Sequence, residues 1–124
     1  LGRAMQYINF IRDIAEDTAL GRRYLPLNSA SPEIVSADYA LENPREFSAF
    51  IGGHLALYRL WQKEAIAGYA YIPKRYRIPI KTAADMYWWT ARCIEKQPLI
   101  VFDRKVKPAR GRIYLSIARN AVLG

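Results

Sequence analysis

The chain has 124 residues, enough for one modest hydrophobic core and too few for two independent domains. Lysine and arginine number 19 against 11 acidic residues, and the formal net charge of +8 favours anionic partners such as nucleic acid, phosphate esters or an anionic membrane surface. The single cysteine, Cys93, excludes an intrachain disulfide, and no apolar run approaches the roughly 18 residues of a membrane span. These features favour a reducing, cytoplasmic setting.

The chain opens with "LGRAMQYINFIRD", which has no initiator Met and enters a periodic apolar pattern at once. We therefore expect the natural N-terminus to be absent and the sequence to be a fragment. The pattern predicts a first helix from the chain start to about Leu20, where Gly21 is typical of a helix end.

Proline marks the start of the next two helices. Ser31 and Pro32 resemble an N-cap and a first-turn proline, and predict a short helical segment to about Leu41. Asn43 and Pro44 repeat this device and predict a long helix to about Tyr71. Its apolar residues recur at the spacing of one buried face: Phe47, Phe50, Ile51, His54, Tyr58, Trp61 and Ala65.

The last third of the chain predicts two further helices. Pro73 and Pro79 bracket a basic turn, "PKRYRIP", and a helix follows to about Pro98. A final helix spans about 109–122 and places Ile113, Tyr114, Ile117 and Ala121 on one side. Only "PLIVF" resembles a strand, and it is short. The predicted class is all-α with about four main helices.

A polar stripe follows the first helix. At 100° per residue, one arc of roughly 100° contains Gln6, Asn9, Asp13, Glu16 and Asp17. Most of the remaining circumference is apolar, the reverse of an ordinary surface helix. We therefore expect this helix to be surrounded by protein, with its polar stripe facing a cavity.

The carboxylates of this stripe predict a bound cation. Asp13 and Asp17 are four residues apart, a spacing at which like charges repel on a helix. Mg²⁺ is typically held by one or two carboxylates together with phosphate oxygens. Nearby groups suited to metal-bound water or phosphate are the amides of Gln6 and Asn9 and the guanidinium groups of Arg12 and Arg22. The alternative is a solvated face of acidic and basic residues paired in salt bridges.

Two segments resemble the squalene and phytoene synthase family, the head-to-head trans-isoprenyl diphosphate synthases. "LGRAMQYINFIRDIAEDTALGRRYLP" is similar to the family's second aspartate-rich segment, G-x-A-x-Q-x-x-N-x-x-R-D-x-x-E-D-x-x-x-G-R-x-Y-L-P, at every specified position. "AIAGYAYIPKRYRIPIKTAADMYWWTARCIEKQP" is similar to a later segment of the family. The resemblance is weak between residues 32 and 60.

This resemblance implies an all-α bundle of the isoprenoid synthase type around a deep cavity. Residues 1–124 would form the C-terminal part of that single domain. In the family, two aspartate-rich segments on facing helices bind Mg²⁺, or in its place Mn²⁺, which bridges the substrate diphosphate. The first segment is absent from this sequence, so we expect the N-terminal helices to be missing and the fragment alone to be inactive.

The resemblance also implies roles for individual residues. The metal-binding residues would be Asp13, Asp17 and Glu16. Substrate diphosphate would be bound by Gln6, Asn9, Arg12, Arg22, Tyr24 and Arg104. The groups implied to act in catalysis are Asp13, Asp17, Arg12 and Tyr87. Two alternatives stay open, because Tyr87 also fits an ordinary core aromatic and Arg104 a solvated charge.

The implied reaction is Mg²⁺-dependent head-to-head condensation of two prenyl diphosphates through a cyclopropyl diphosphate intermediate. We favour the phytoene type, which uses geranylgeranyl diphosphate and requires no NADPH. The alternatives are a squalene or dehydrosqualene type using farnesyl diphosphate, and a non-catalytic scaffold relative. Trp88 and Trp89 fit contacts with the missing N-terminal half, a partner or a membrane surface. Nucleic acid is not expected, since no helix-turn-helix, RRM or zinc pattern accompanies the basic residues.

Overall fold

The computed structural model describes residues 2–123, in which every regular element is helical. The α-helices are α1 (Gly2–Arg12), α2 (Ile14–Ala19), α3 (Ala37–Glu42), α4 (Pro44–Ala67), α5 (Lys74–Lys96), α6 (Ile100–Asp103) and α7 (Arg110–Leu123). Two 3₁₀ turns span Pro32–Val35 and Tyr69–Tyr71. The predicted all-α class is confirmed, and the four longest helices, α1, α4, α5 and α7, match the predicted four. In the described part of the chain, no helix is both long and apolar enough to cross a membrane.

Helix α1 packs against both α4 and α5, which also contact each other. The core between them consists of apolar side chains: Ile8 and Ile11 from α1, Phe47, Ile51, Leu55 and Tyr58 from α4, and Ala91 and Ile94 from α5. The predicted buried stripe of α4 is confirmed from Phe47 to Tyr58, whereas Trp61 and Ala65 are only partly buried. Because α1 is held from two sides, the direction of its polar stripe is fixed.

The predicted first helix is divided at Asp13, which leaves helical geometry with φ −98° and ψ 18°. The chain nevertheless continues in the same direction, because the Asp13 N–H donates to the Asn9 carbonyl at 2.9 Å and the Asp17 N–H donates to the Asp13 carbonyl at 2.8 Å. The helix ends at Ala19, close to the predicted Leu20, and is followed by Gly21, whose φ of 70° favours glycine. Asp13 and Asp17 therefore keep nearly helical spacing across the division.

The two proline-marked helix starts differ in their caps. Ser31 accepts a hydrogen bond from the Glu33 N–H at 3.4 Å, so the predicted N-cap is confirmed, but the segment it opens is a 3₁₀ turn followed by α3. Asn43 does not cap α4 with its side chain. Its Nδ2 instead donates to the Tyr39 carbonyl at 3.0 Å, and so caps the C-terminal end of α3. Helix α4 ends at Ala67, before the predicted boundary.

The predicted basic turn before α5 is wrong, because the helix begins at Lys74 and continues through Pro79. Pro79 lies in only the second turn, where a missing N–H removes one backbone hydrogen bond. The start of the helix is tied down by Arg77, whose Nη2 donates to the Ile72 carbonyl at 2.8 Å. The strand-like run "PLIVF" forms no strand: its last three residues belong to α6, and Pro98 and Leu99 lie in the turn before that helix.

The apolar side of α7 that the sequence indicates is not the side that is buried in the structure. Tyr114 is 67% exposed and Ile117 41%, whereas Ser116 and Asn120 are buried. The reason is the polar surface that α5 presents: the Ser116 hydroxyl donates to Asp85 Oδ2 at 2.7 Å, and Asn120 Nδ2 donates to the same oxygen at 3.0 Å. Helix α7 is thus held on α5 by polar contacts.

We expect Ser116→Ala to lower the free energy of unfolding by about 1–3 kcal/mol, because the Asp85 carboxylate loses its shortest hydrogen bond. Urea denaturation of the full-length protein measures the change. Ser48→Ala on the exposed side of α4 is the matched control and should stay within about 0.5 kcal/mol of the wild type. Equal effects of the two substitutions would contradict this account of α7.

Candidate active site

The polar stripe of α1 ends in an ion pair between neighbouring residues. Arg12 Nε lies 2.8 Å from Asp13 Oδ1, and Arg12 Nη2 lies 3.1 Å from Asp13 Oδ2, so the contact is bidentate. Both side chains are about four-fifths buried. The bond to Asp13 raises the pKa of the Arg12 guanidinium, against the opposing effect of burial. The Asp13 charge is therefore balanced by a guanidinium that itself could meet phosphate.

A depression of about 300 Å³ lies between this ion pair and the segment around α6. Arg12, Asp13 and Glu16 line one side, and Arg104 and Lys105 line the other. Residues some 90 positions apart in sequence are thus brought together, because α2 packs on α6. Lys105 Nζ lies 3.5 Å from Glu16 Oε2. Sequence reasoning singled out Arg104 but missed Lys105, whose only signal is its place in the basic run after α6.

Asp17 lies one helical turn after Asp13. Together with Glu16, these two aspartates form what we call the acidic row. Burial raises the pKa of the Asp17 carboxyl, as do the negative charges of Asp13 and Glu16, while Arg22 and Lys105 act in the opposite direction. The three carboxylates are thus near enough to influence one another. Between residues 2 and 123, however, no three His, Cys, Asp or Glu side chains are grouped so that they could hold a metal ion. A metal at this helix would need further ligands.

Arg22 and Tyr24 are held next to Asp17 by the end of α2. The Arg22 N–H donates to the Asp17 carbonyl at 2.8 Å, and the Gly21 N–H donates to the Thr18 carbonyl at 3.0 Å, the pattern of a Schellman motif. The Tyr24 ring stacks on Phe10 with centroids 4.7 Å apart. Asp17, Arg22 and Tyr24 line a second, smaller crevice.

The remaining predicted site residues lie around Arg12. Asn9 is partly buried, and its Oδ1 is buried without a hydrogen-bond partner in the described part of the protein. Tyr87 packs against the core and also contributes to the raised pKa of Arg12, so the core and site interpretations of this residue are compatible. Gln6 is exposed, and the side chain of Glu16 is 62% exposed. The described residues therefore do not enclose the acidic row by themselves, contrary to the cavity expected from the sequence.

A buried histidine holds this region together. The Tyr7 hydroxyl on α1 donates to His54 Nδ1, and His54 Nε2 donates to the Pro26 carbonyl at 2.9 Å. A carbonyl can only accept, so Nε2 carries the proton and the neutral ring leaves Nδ1 free to accept. Burial lowers the pKa of His54 and so favours this neutral form. From the sequence, His54 is only one residue of an apolar stripe, so nothing indicated this connection.

The sequence matches the family model described as "Squalene/phytoene synthase" over residues 1–112, which include the acidic row, Tyr87 and Arg104. The chain belongs to the squalene/phytoene synthase family. The recognition made from the two sequence segments is thereby confirmed. No solved structure matches the chain significantly.

Curated relatives of the chain carry related names. A "Bifunctional lycopene cyclase/phytoene synthase" of Pyrenophora tritici-repentis is 32% identical over 94% of this chain and 20% of its own length. "Phytoene synthase 2, chloroplastic" of Oryza sativa subsp. japonica is 27% identical over 98% of this chain and 32% of its own length. A "Presqualene diphosphate synthase" of Rhodopseudomonas palustris is 45% identical over 33% of this chain and 18% of its own length. The chain thus spans about a fifth to a third of these relatives.

We expect the free energy of unfolding to fall between about pH 7 and pH 5 because of His54, whose pKa is lowered from 6.5 in the folded state. As the pH falls, His54 binds a proton first in the unfolded state. The contribution of His54 to the free energy of unfolding is therefore complete above pH 6.5. It is lost as the pH falls toward the lowered pKa, by at most about 1.4 kcal/mol per pH unit. Urea denaturation at several pH values, with His54→Gln as the non-titrating comparison, measures it.

The carboxylates titrate in both proteins, so the difference between the two pH profiles isolates the histidine. The variant should lose less stability between about pH 7 and pH 5 than the wild type. Parallel profiles would contradict a buried neutral His54.

Proposed function

We propose that this chain is part of a prenyltransferase that condenses two prenyl diphosphates head to head, in a reaction that depends on Mg²⁺. The observation that carries the proposal is the depression in which Arg12 and Asp13 face Arg104 and Lys105. Such a site combines carboxylates for a divalent cation with basic groups for the diphosphate that the cation would bridge. Family membership supports the same reaction class.

The carboxylate oxygens of the acidic row suit a hard divalent cation. Asp13 and Asp17 would hold it, with Glu16 beside them, since Mg²⁺ prefers carboxylate oxygens and retains water. Asn9 Oδ1, which is buried and has no hydrogen-bond partner among residues 2–123, would supply a further acceptor for water held by the cation. When bound, the cation would stabilise negative charge on the departing diphosphate. Since the described side chains do not complete such a site, we propose that the remaining ligands come from the diphosphate and from the rest of the domain.

The basic residues would orient and neutralise the diphosphate. Arg12 is bonded to Asp13, and its fork geometry suits phosphate as well as carboxylate. We propose that Arg12 would also contact the diphosphate of a bound substrate. Arg104 would contact the diphosphate from the opposite side of the depression, and Arg22 from the loop after α2. The basic groups thereby stabilise the charge that develops as the allylic C–O bond breaks.

Tyr87 would act beside Arg12 on the same diphosphate. It lies on α5, close enough to affect the pKa of Arg12, and its hydroxyl can donate to an anionic oxygen. Its partial burial in the core would keep the ring in place during the reaction. A fixed donor of this kind requires no reorganisation as negative charge develops.

We favour the phytoene-type product, formed from geranylgeranyl diphosphate through a cyclopropyl diphosphate without NADPH. The names of the fungal and rice relatives support this choice. A presqualene-type reaction on farnesyl diphosphate is the second candidate, because a relative with that name is 45% identical over 49 residues. We disfavour a non-catalytic scaffold, since both aspartates are present in the sequence.

The rest of an isoprenoid synthase domain is the proposed partner of this chain. The matched relatives are three to five times longer than the part that this chain covers. The additional helices would cover the acidic row, supply the first aspartate-rich segment and exclude water from the carbocations. This chain alone would then be inactive.

We expect Asp13→Asn and Asp17→Asn each to lower kcat/KM of the full-length protein by about 100-fold or more, because each removes a charge needed to hold the cation. Turnover of geranylgeranyl diphosphate is measured across a range of Mg²⁺ concentrations. Asp38→Asn on exposed α3 is the matched control and should leave both turnover and Mg²⁺ dependence unchanged. Unchanged turnover in both site variants would refute the proposed role of the acidic row.

We also expect the full-length protein to turn over geranylgeranyl diphosphate faster than farnesyl diphosphate, and to release a hydrocarbon without added NADPH. Chromatography of the extracted products with mass spectrometry distinguishes the candidates. Accumulation of a farnesyl-derived cyclopropyl diphosphate would favour the presqualene-type reaction. A hydrocarbon formed only with NADPH would favour the squalene type.

A further inference from the structure

The outer side of α7 is apolar and has no partner among residues 2–123. Ser116 and Asn120 face α5, whereas four large apolar residues are strongly exposed: Tyr114 (67%), Leu115 (71%), Val122 (82%) and Leu123 (75%). At 100° per residue, Tyr114, Leu115 and Val122 fall within one arc together with Gly111 and Ala118. This arc lies opposite the side that packs on α5, so the exposed face is continuous.

Basic residues flank this apolar face. The segment from residue 104 to residue 123 contains no acidic residue and carries Arg104, Lys105, Lys107, Arg110, Arg112 and Arg119. On the helical projection, Arg110 lies at one margin of the apolar arc, and Arg112 and Arg119 lie at the other. An apolar face between basic margins is the arrangement of helices that lie in the interface of an anionic bilayer.

The neighbouring edge of α5 extends the same surface. A groove of about 400 Å³ between α5 and α7 is lined in part by Trp88, Trp89, Arg92 and Arg112. The Arg112 guanidinium lies 5.2 Å from the centre of the Trp89 ring. Tryptophan is enriched at membrane interfaces, and guanidinium groups bind phosphate.

The acidic residues near this groove are already engaged. Asp85 accepts hydrogen bonds from Ser116, Arg119 and Asn120, and Glu95 pairs with Arg59. Their charges are therefore compensated locally, and the groove presents a surplus of positive charge to an approaching anionic surface.

We propose that α7 and the Trp88–Arg92 edge of α5 form a docking surface for an anionic lipid bilayer. Leu115 and Val122 enter the boundary between headgroups and acyl chains, while Arg92 and Arg112 contact lipid phosphates. This surface is separate from the depression between Asp13 and Arg104, so the proposal does not depend on the reaction. Of the three contacts that the sequence leaves open for Trp88, it selects the membrane surface.

Flotation with lipid vesicles tests this surface in the full-length protein. We expect binding to vesicles of phosphatidylcholine with phosphatidylglycerol, little binding to phosphatidylcholine alone, and weaker binding as salt is added. The pair Leu115→Ser and Val122→Ser should weaken binding about tenfold or more. The pair Arg92→Gln and Arg112→Gln should weaken it by about tenfold. Leu60→Ser and Arg45→Gln, exposed on α4, are the matched controls and should bind like the wild type.

Three results would overturn the proposal. The first is no affinity of the wild type for anionic vesicles, and the second is equal affinity for the Leu115→Ser/Val122→Ser protein. The third comes from thermal unfolding and sedimentation of that variant: a marked loss of stability, or conversion of a dimer to a monomer, would show that protein covers this face. Retained stability and oligomeric state together with lost vesicle binding would support the lipid surface.

Discussion

The site depends on how the charge of Asp13 is balanced. A carboxylate that is four-fifths buried is costly unless a cation meets it, and here Arg12 does so through two hydrogen bonds. Because the partner is the adjacent residue, the pair needs no other part of the protein to form. It places a carboxylate and a guanidinium side by side at the edge of the depression that Arg104 and Lys105 also line.

The surrounding structure serves to hold this pair in position. Ile8 and Ile11 fix α1 between α4 and α5, while the Tyr7–His54–Pro26 connection ties α1 and the following loop to α4. Arg104 reaches the pair because α6 packs on α2. Elements from the beginning, middle and end of the chain therefore converge on one short stretch of α1. The spatial proximity of Arg12 and Arg104 is a property of this packing.

Much of this arrangement could be predicted from the sequence, since periodicity is a strong signal where apolar residues decide the packing. The buried stripe of α4 and the end of α2 just before Gly21 are of this kind. The errors occur where polar groups decide instead. Asn43 resembles an N-cap but bonds backward to Tyr39, and α7 turns Ser116 and Asn120 toward α5 because Asp85 needs donors. Periodicity cannot reveal such partners, because it carries no information about which polar group lies opposite.

The same limit applies to the site. The motif predicts Asp13, Asp17 and Arg12 as site residues, but neither the position of Lys105 nor the neutral state of His54 follows from a local pattern, since both depend on contacts between distant segments. The enclosure of the acidic row is a third such property. Three carboxylates and their basic partners remain partly open to solvent, and a carbocation reaction requires water to be excluded. If the proposed reaction is correct, the covering helices must therefore close over α1 from the side of Gln6 and Glu16, because its other sides are already packed against α4 and α5.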